Sequence, residues 1–106
     1  MKKNDILREV LLIIRKYLDD DYRVYLFGSW PKGEAYDTSD IDVGILGKEK
    51  VPWDIMVRIS EEVGSIATLR KIDVLDFNSV EERFKKSALA GALELNQELP
   101  EFSPVR

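Results

Sequence analysis

The chain has 106 residues and a net charge of −4. That length suits one domain with a single modest core, and that charge speaks against the broad basic surface that duplex nucleic acid demands. It has no Cys and no His, which excludes disulfides, thiolate sites, most zinc sites and imidazole catalysis, so any bound metal must be held by oxygen.

The first predicted element is a helix over Asp5 to Leu18. Ile6, Leu7, Val10, Leu11, Ile14, Tyr17 and Leu18 form a broad apolar stripe along it. The run Leu11 to Ile14 is far too short to span a membrane. Met1-Lys2-Lys3 faintly resembles a signal-peptide start. Arg8, Glu9 and Arg15 interrupt the apolar stretch and no cleavage site follows, so a cytoplasmic protein is expected. Asp19-Asp20-Asp21 ends the helix and reads as a solvated turn rather than a metal site. A first strand, Val24 to Phe27, stops at Gly28-Ser29. A polar loop containing Gly33 leads into a second apolar run, Ile41 to Leu46. A second helix starts near Pro52, a good first-turn residue, and carries Ile55, Met56, Ile59 and Val63. A third apolar run, Ile72 to Phe77, is stopped by Asn78-Ser79. A third helix opens on the capping box Ser79-x-x-Glu82 and runs to about Asn96, with Val80, Phe84, Ala88 and Leu95 on one stripe. The order predicts an α/β fold: a small mixed sheet with helices on one face, the other face left as an open cleft. The domain is expected over residues 1–99, with 100–106 as a frayed tail.

The chemistry concentrates where the first two strands meet. Ser29 and Asp40 are separated by ten residues, and Asp40-Ile41-Asp42 follows at once. Side chains at i and i+2 of a strand share a face, so Asp40 and Asp42 are placed side by side, about 7 Å apart along the backbone. Like charges that close raise each other's proton affinity, and a divalent cation between them relieves the repulsion. Gly28 lets a ligand approach the backbone, and Ser29 adds a hydroxyl beside turn amides that favour anions. Gly33 allows a second reversal. Each half of this pattern is common alone. Together, at two strand ends, they make a phosphate cradle next to a carboxylate pair, which suits phosphoryl or nucleotidyl transfer.

Such chemistry calls for a further carboxylate. Asp73 and Asp76 differ in parity and so point to opposite faces of the third strand. Asp73 is the better partner for Asp40 and Asp42, because Ile72 and Val74 then fill the helix-covered face. Asp76, near the strand end, is expected to face water. The competing reading of Asp73 is a surface carboxylate paired with Lys71 or Arg70. Arg70-Lys71, with Lys32, either makes a local basic patch for phosphates or is simply solvated.

The pattern Gly28-Ser29-x₁₀-Asp40-x-Asp42, with Ile72-Asp73-Val74 later, resembles the minimal nucleotidyltransferases of the DNA polymerase beta-like superfamily. Gly33 and Ser39-Asp40 fit the same pattern. The resemblance covers about residues 20–80 and implies a nucleotidyltransferase palm. It implies that Asp40 and Asp42 bind two Mg²⁺ ions (or Mn²⁺) carrying a nucleoside triphosphate such as ATP. It implies that Asp73 helps bind the second metal and activates the acceptor hydroxyl, while Gly28 and Ser29 hold the triphosphate. Relatives often carry Arg after the Gly-Ser, where this chain has Trp30; Lys32 offers a positive charge in its place. Larger transferases add a second domain for the acceptor. Minimal ones are typically paired with a small helical partner of the HEPN class, as antitoxins that in some cases add AMP to a tyrosine of the partner. Ala88, Gly91 and Ala92 on the third helix would permit close approach of such a partner, or close packing on the chain's own sheet. Two other functions stay open: an antitoxin that only binds and occludes, with a residual nucleotide site, and a transferase acting on a small molecule such as an aminoglycoside. The sequence leaves the base, the acceptor and any oligomer open.

Overall fold

The computed structural model describes residues 3–28, 30–31 and 40–96. Helix α1 (Lys3–Tyr17) is followed by strands β1 (Arg23–Phe27) and β2 (Ile41–Leu46), helix α2 (Trp53–Gly64) and strand β3 (Ile72–Asp76). A 3-10 turn over Phe77–Ser79 leads to helix α3 (Glu82–Leu89) and strand β4 (Leu93–Leu95). The sheet order is β3-β2-β1-β4. β1 runs antiparallel to both β2 and β4, while β2 and β3 are parallel and joined through α2, so the sheet is mixed. Among the described residues no helix is long and apolar enough to cross a membrane. The expected tail, 100–106, lies outside the described residues.

The period-two pattern of the strands divides the sheet cleanly. Val24 and Leu26 of β1, with Ile41, Val43 and Ile45 of β2, are buried against Ile6, Leu7, Val10 and Ile14 of α1 and Ile59 and Val63 of α2. Ile72 and Val74 of β3 pack against the same core, as their parity requires. Glu62 of α2 joins the two helices by accepting hydrogen bonds from Lys16 and Tyr17 of α1. The turn after α1 is a solvated one: Asp19 Oδ1 accepts from the Asp21 amide at 3.0 Å, and Arg15 donates to the Asp19 carbonyl at 2.9 Å.

The opposite face carries a smaller aromatic group. Phe77 lies 5.4 Å from Phe27 and 6.4 Å from Tyr25, centroid to centroid. It lies directly against the Cα of Gly44, where any side chain would strike its ring. Phe84 of α3 meets Phe27 edge to face at 6.1 Å. Helices α1 and α2 thus cover one face as expected, and α3 closes in on β1 at the margin of the other.

Three expectations are corrected. The third helix begins at Glu82, after Glu81 as its N-cap, and no Ser79 capping box forms. Ser79 is in the 3-10 turn, its hydroxyl 3.3 Å from Asp76 Oδ2. The helix ends at Leu89, and Leu93–Leu95 pairs with β1 as a strand. Gly91 and Ala92 are therefore off the helix, with Gly91 in the left-handed region at φ 86°. Asp76 does not face water. It is 4% exposed and pairs in register with Ile45, on the core side. Burial is tolerated because its oxygens are occupied: Oδ2 accepts from the Val51 amide at 2.7 Å, and Oδ1 from the Asn78 amide at 3.0 Å. Asn78 in turn donates to the carbonyls of Gly47 and Glu49 at 2.7 and 3.2 Å. Asp76 and Asn78 thereby clasp the β2–α2 connection.

Removing that carboxylate leaves the Val51 amide buried with no acceptor. Asp76→Ala is expected to lower stability by about 1.5–3 kcal/mol, the range for a hydrogen bond to a charged group. Urea denaturation checks this, with half-exposed Asp73→Ala as the control that shifts the midpoint far less.

Candidate functional site

Register builds the site. In the antiparallel β1–β2 pair Phe27 lies opposite Asp42, and in the parallel β2–β3 pair Asp42 lies beside Asp73. Paired residues of neighbouring strands share a face. Phe27, Asp42 and Asp73 therefore stand in a row across three strands, on the face away from the main core. Asp40 sits just before β2 and is exposed.

Gly28 closes the row on the β1 side. Its φ is +83°, which favours glycine, and a Cβ there would stand 2.6 Å from Asp42 Oδ2. Any larger residue would be strained by that backbone and would push the Asp42 carboxylate aside. Gly28 thus brings a bare turn backbone against Asp42.

The electrostatics follow from the register. The Asp42 carboxyl is pushed above the ordinary carboxylate range, first by burial and then by the charges of Asp73 and Asp40. Lys71 partly offsets this. Lys71 Nζ is 3.8 Å from Asp73 Oδ2, so the surface pairing considered for Asp73 is present. Both side chains are about half exposed or more, and such a pair contributes little in water.

Among the described residues no group of three or more acidic side chains is gathered tightly enough to hold a metal ion. Asp42 and Asp73 are brought together by pairing, and Asp40 acts on Asp42 through its charge. The donor chemistry fits a hard dication: oxygen ligands only, with like charges that raise the proton affinity of Asp42. Ser29, Lys32, Gly33 and Ser39, expected at the phosphates, lie outside the described residues.

Trp30 has a role that sequence reasoning missed. Its indole Nε1 donates to the Asp40 carbonyl at 2.9 Å. One hydrogen bond thus ties the start of the site loop to its end. The ring packs against the core, with the Arg70 guanidinium 5.0 Å from its centre and Lys3 Nζ at 4.1 Å. Arg70 is drawn to an aromatic face rather than to the carboxylates. The one signal in the sequence was an aromatic residue where relatives often carry Arg.

The sequence model of the polymerase beta nucleotidyltransferase family matches residues 13–98. The chain belongs to that family. A protein of Haemophilus influenzae that carries the name protein adenylyltransferase MntA is 32% identical over 85 residues, covering 77% of this chain and 75% of that one. A protein of Methanocaldococcus jannaschii, also named for protein adenylyltransferase activity, is 31% identical over 96 residues, covering 90% and 99%. In three dimensions the chain is similar to one in the solved complex of a tri-AMPylated Shewanella oneidensis HEPN toxin with its MNT antitoxin. The TM-score is 0.65 at 16% identity, over 88% of this chain and 71% of that one, a likeness of fold. The expected nucleotidyltransferase fold and enzyme class therefore hold.

The raised proton affinity of Asp42 gives a signed prediction. A carboxyl with a higher pKa folded than unfolded supports the fold when protonated, and that support is lost as pH rises through the folded value. In EDTA at neutral pH, Asp42→Asn is expected to melt at least as high as the wild type. The mutant's advantage should vanish as pH falls below the ordinary carboxylate range. Added millimolar Mg²⁺ should raise the wild type more than the mutant. A mutant melting several degrees lower in neutral EDTA would make Asp42 a structural residue.

Proposed function

We propose that this chain is a Mg²⁺-dependent nucleotidyltransferase that moves a nucleoside monophosphate, AMP, from its triphosphate to a hydroxyl on a HEPN-type protein partner, as an antitoxin of the cytoplasm. The observation that carries this reading is the pairing of Asp42 with Asp73 beside a glycine whose backbone conformation and close approach to Asp42 disfavour any side chain. The relatives' names and the HEPN complex support the finer points of donor and partner.

Asp40 and Asp42 would hold the metal ions, with Asp73 completing the second site. Bound there, Mg²⁺ supplies neutralisation of triphosphate charge and an acidified acceptor hydroxyl. The residues of the chain do the rest. The turn at Gly28, which carries no side chain next to Asp42, is where the triphosphate would approach. Trp30 holds the Asp40 backbone in position. Asp73, half exposed on the outer side of the row, takes the proton of the acceptor hydroxyl. The acceptor oxygen forms a bond to the α-phosphorus, the bond from that phosphorus to the bridging oxygen breaks, and pyrophosphate leaves.

One observation favours the binding-only alternative: the described carboxylates are not pre-gathered as a three-ligand cage. Incubation with a HEPN-type partner, labelled ATP and Mg²⁺ separates the two. Label on the partner is expected, and Asp73→Asn should slow its transfer about a hundredfold, within the usual contribution of a general base. Transfer by Asp73→Asn within about threefold of wild type, well short of that contribution, would remove Asp73 from the chemistry. No label transfer by the wild type would leave occlusion as the function.

A further inference from the structure

Two hydrogen bonds hold a single peptide unit at the mouth of β2. The Asp40 carbonyl accepts from the Trp30 indole Nε1 at 2.9 Å. The amide of the next residue, Ile41, donates to the Lys71 carbonyl at 2.9 Å. The two holders meet again away from that peptide. Arg70, the residue before Lys71, lays its guanidinium carbon 5.0 Å from the centre of the Trp30 ring, within cation–π range. The contacts therefore close a circuit: Trp30, the Asp40–Ile41 peptide, Lys71, Arg70 and back to Trp30. Support reaches the circuit from outside at two points. Lys3 Nζ of α1 is 4.1 Å from the same ring centre, and the Arg70 amide donates to Thr68 Oγ1 at 3.1 Å.

Hydrogen bonding does not explain where the Arg70 side chain lies. Its Nη1 is buried and has no hydrogen-bond partner among the described residues. A buried unpaired donor costs free energy, and more so on a charged group. Lys71, not Arg70, takes the ion pair with Asp73. The guanidinium stands instead against an indole that packs on the core. Asp40 has the converse problem. Its side chain is exposed, so packing does not fix it, and its aim depends on its backbone. A metal-binding group must be held to within about half an ångström of its working position.

We propose that Arg70 is a positioning residue of the transferase site. It steadies the Trp30 ring, and Trp30 in turn fixes the backbone of Asp40 and so the aim of that carboxylate. The proposal rests on the nucleotidyltransferase reading above.

The test measures binding of Mg²⁺-ATP by calorimetry for wild type, Arg70→Met, Arg70→Lys, Trp30→Phe and the double variant Arg70→Met/Trp30→Phe. Hydrogen exchange of the Trp30 indole proton is followed by NMR in wild type and the two Arg70 variants. Methionine keeps apolar bulk on the ring and removes the charge. Phenylalanine keeps a ring and removes the N–H that holds Asp40. Arg70→Met is expected to weaken Mg²⁺-ATP about fivefold, the worth of one partly exposed cation–π contact. It should also speed exchange of the Trp30 indole, with that of exposed Trp53 unchanged. Arg70→Lys, which keeps the cation, should restore both. Because Arg70 acts through Trp30, the double variant should bind no more weakly than Trp30→Phe alone. Losses that multiply in the double variant would mean a separate route, such as direct contact with phosphate, and would overturn the proposal. Arg70→Met binding as wild type overturns it too, as does weakened binding with the Trp30 indole exchange unchanged. These three results leave the transferase reading intact. A wild type that does not bind Mg²⁺-ATP would overturn that reading and the role of Arg70 together.

Discussion

One register decides what this molecule can do. Asp42 is paired with Phe27 on one side and Asp73 on the other, so a central strand presents a carboxylate to a second carboxylate and to a bare glycine turn at once. A slip of one residue in β3 would turn Asp73 into the core and bring Ile72 or Val74 out. The register is held because the alternative is expensive: Ile72 and Val74 pack on the α1–α2 core, and Asp76 must reach the Val51 amide on the same side. The site on one face is thus fixed by burial on the other.

The two faces are also tied through the sheet itself. Gly44, next to Asp42 in β2 by parity, carries no side chain, and Phe77 occupies the space. Phe77 leads into the turn that carries Asn78, which holds the β2–α2 connection. That ring also backs Phe27, against which Phe84 rests. The aromatic group beside the carboxylates is therefore continuous with the segment that closes the fold. Trp30 does the corresponding work at the other end, fastening Asp40 across the loop.

The sequence made the strands and the shared face of their carboxylates legible because both depend on parity along a strand. Asp73 was separated from Asp76 by counting alone, and the structure puts them on opposite faces. The surroundings of Asp76 were not legible, since its partner amide is at Val51, 25 residues away. Water was the reasonable expectation for a lone carboxylate at a strand end. The C-terminal segment misled for a related reason. Ser79-x-x-Glu82 has the form of a capping box, but the Ser79 hydroxyl is already engaged with Asp76. Leu93 and Leu95 fit a helical stripe and a strand equally well, and pairing with Val24 and Leu26 decides for the strand. The role of Trp30 depended on a contact across a loop, which periodicity does not encode.

The central claim is that Asp42 is held in a like-charged, partly buried setting that a divalent cation relieves. The direct measurement is a carboxyl-detected NMR titration of Asp42, first in EDTA and then in saturating Mg²⁺. The account predicts a midpoint above the ordinary carboxylate range without metal, falling below it when Mg²⁺ is present. An ordinary midpoint in EDTA that Mg²⁺ leaves unmoved would contradict it.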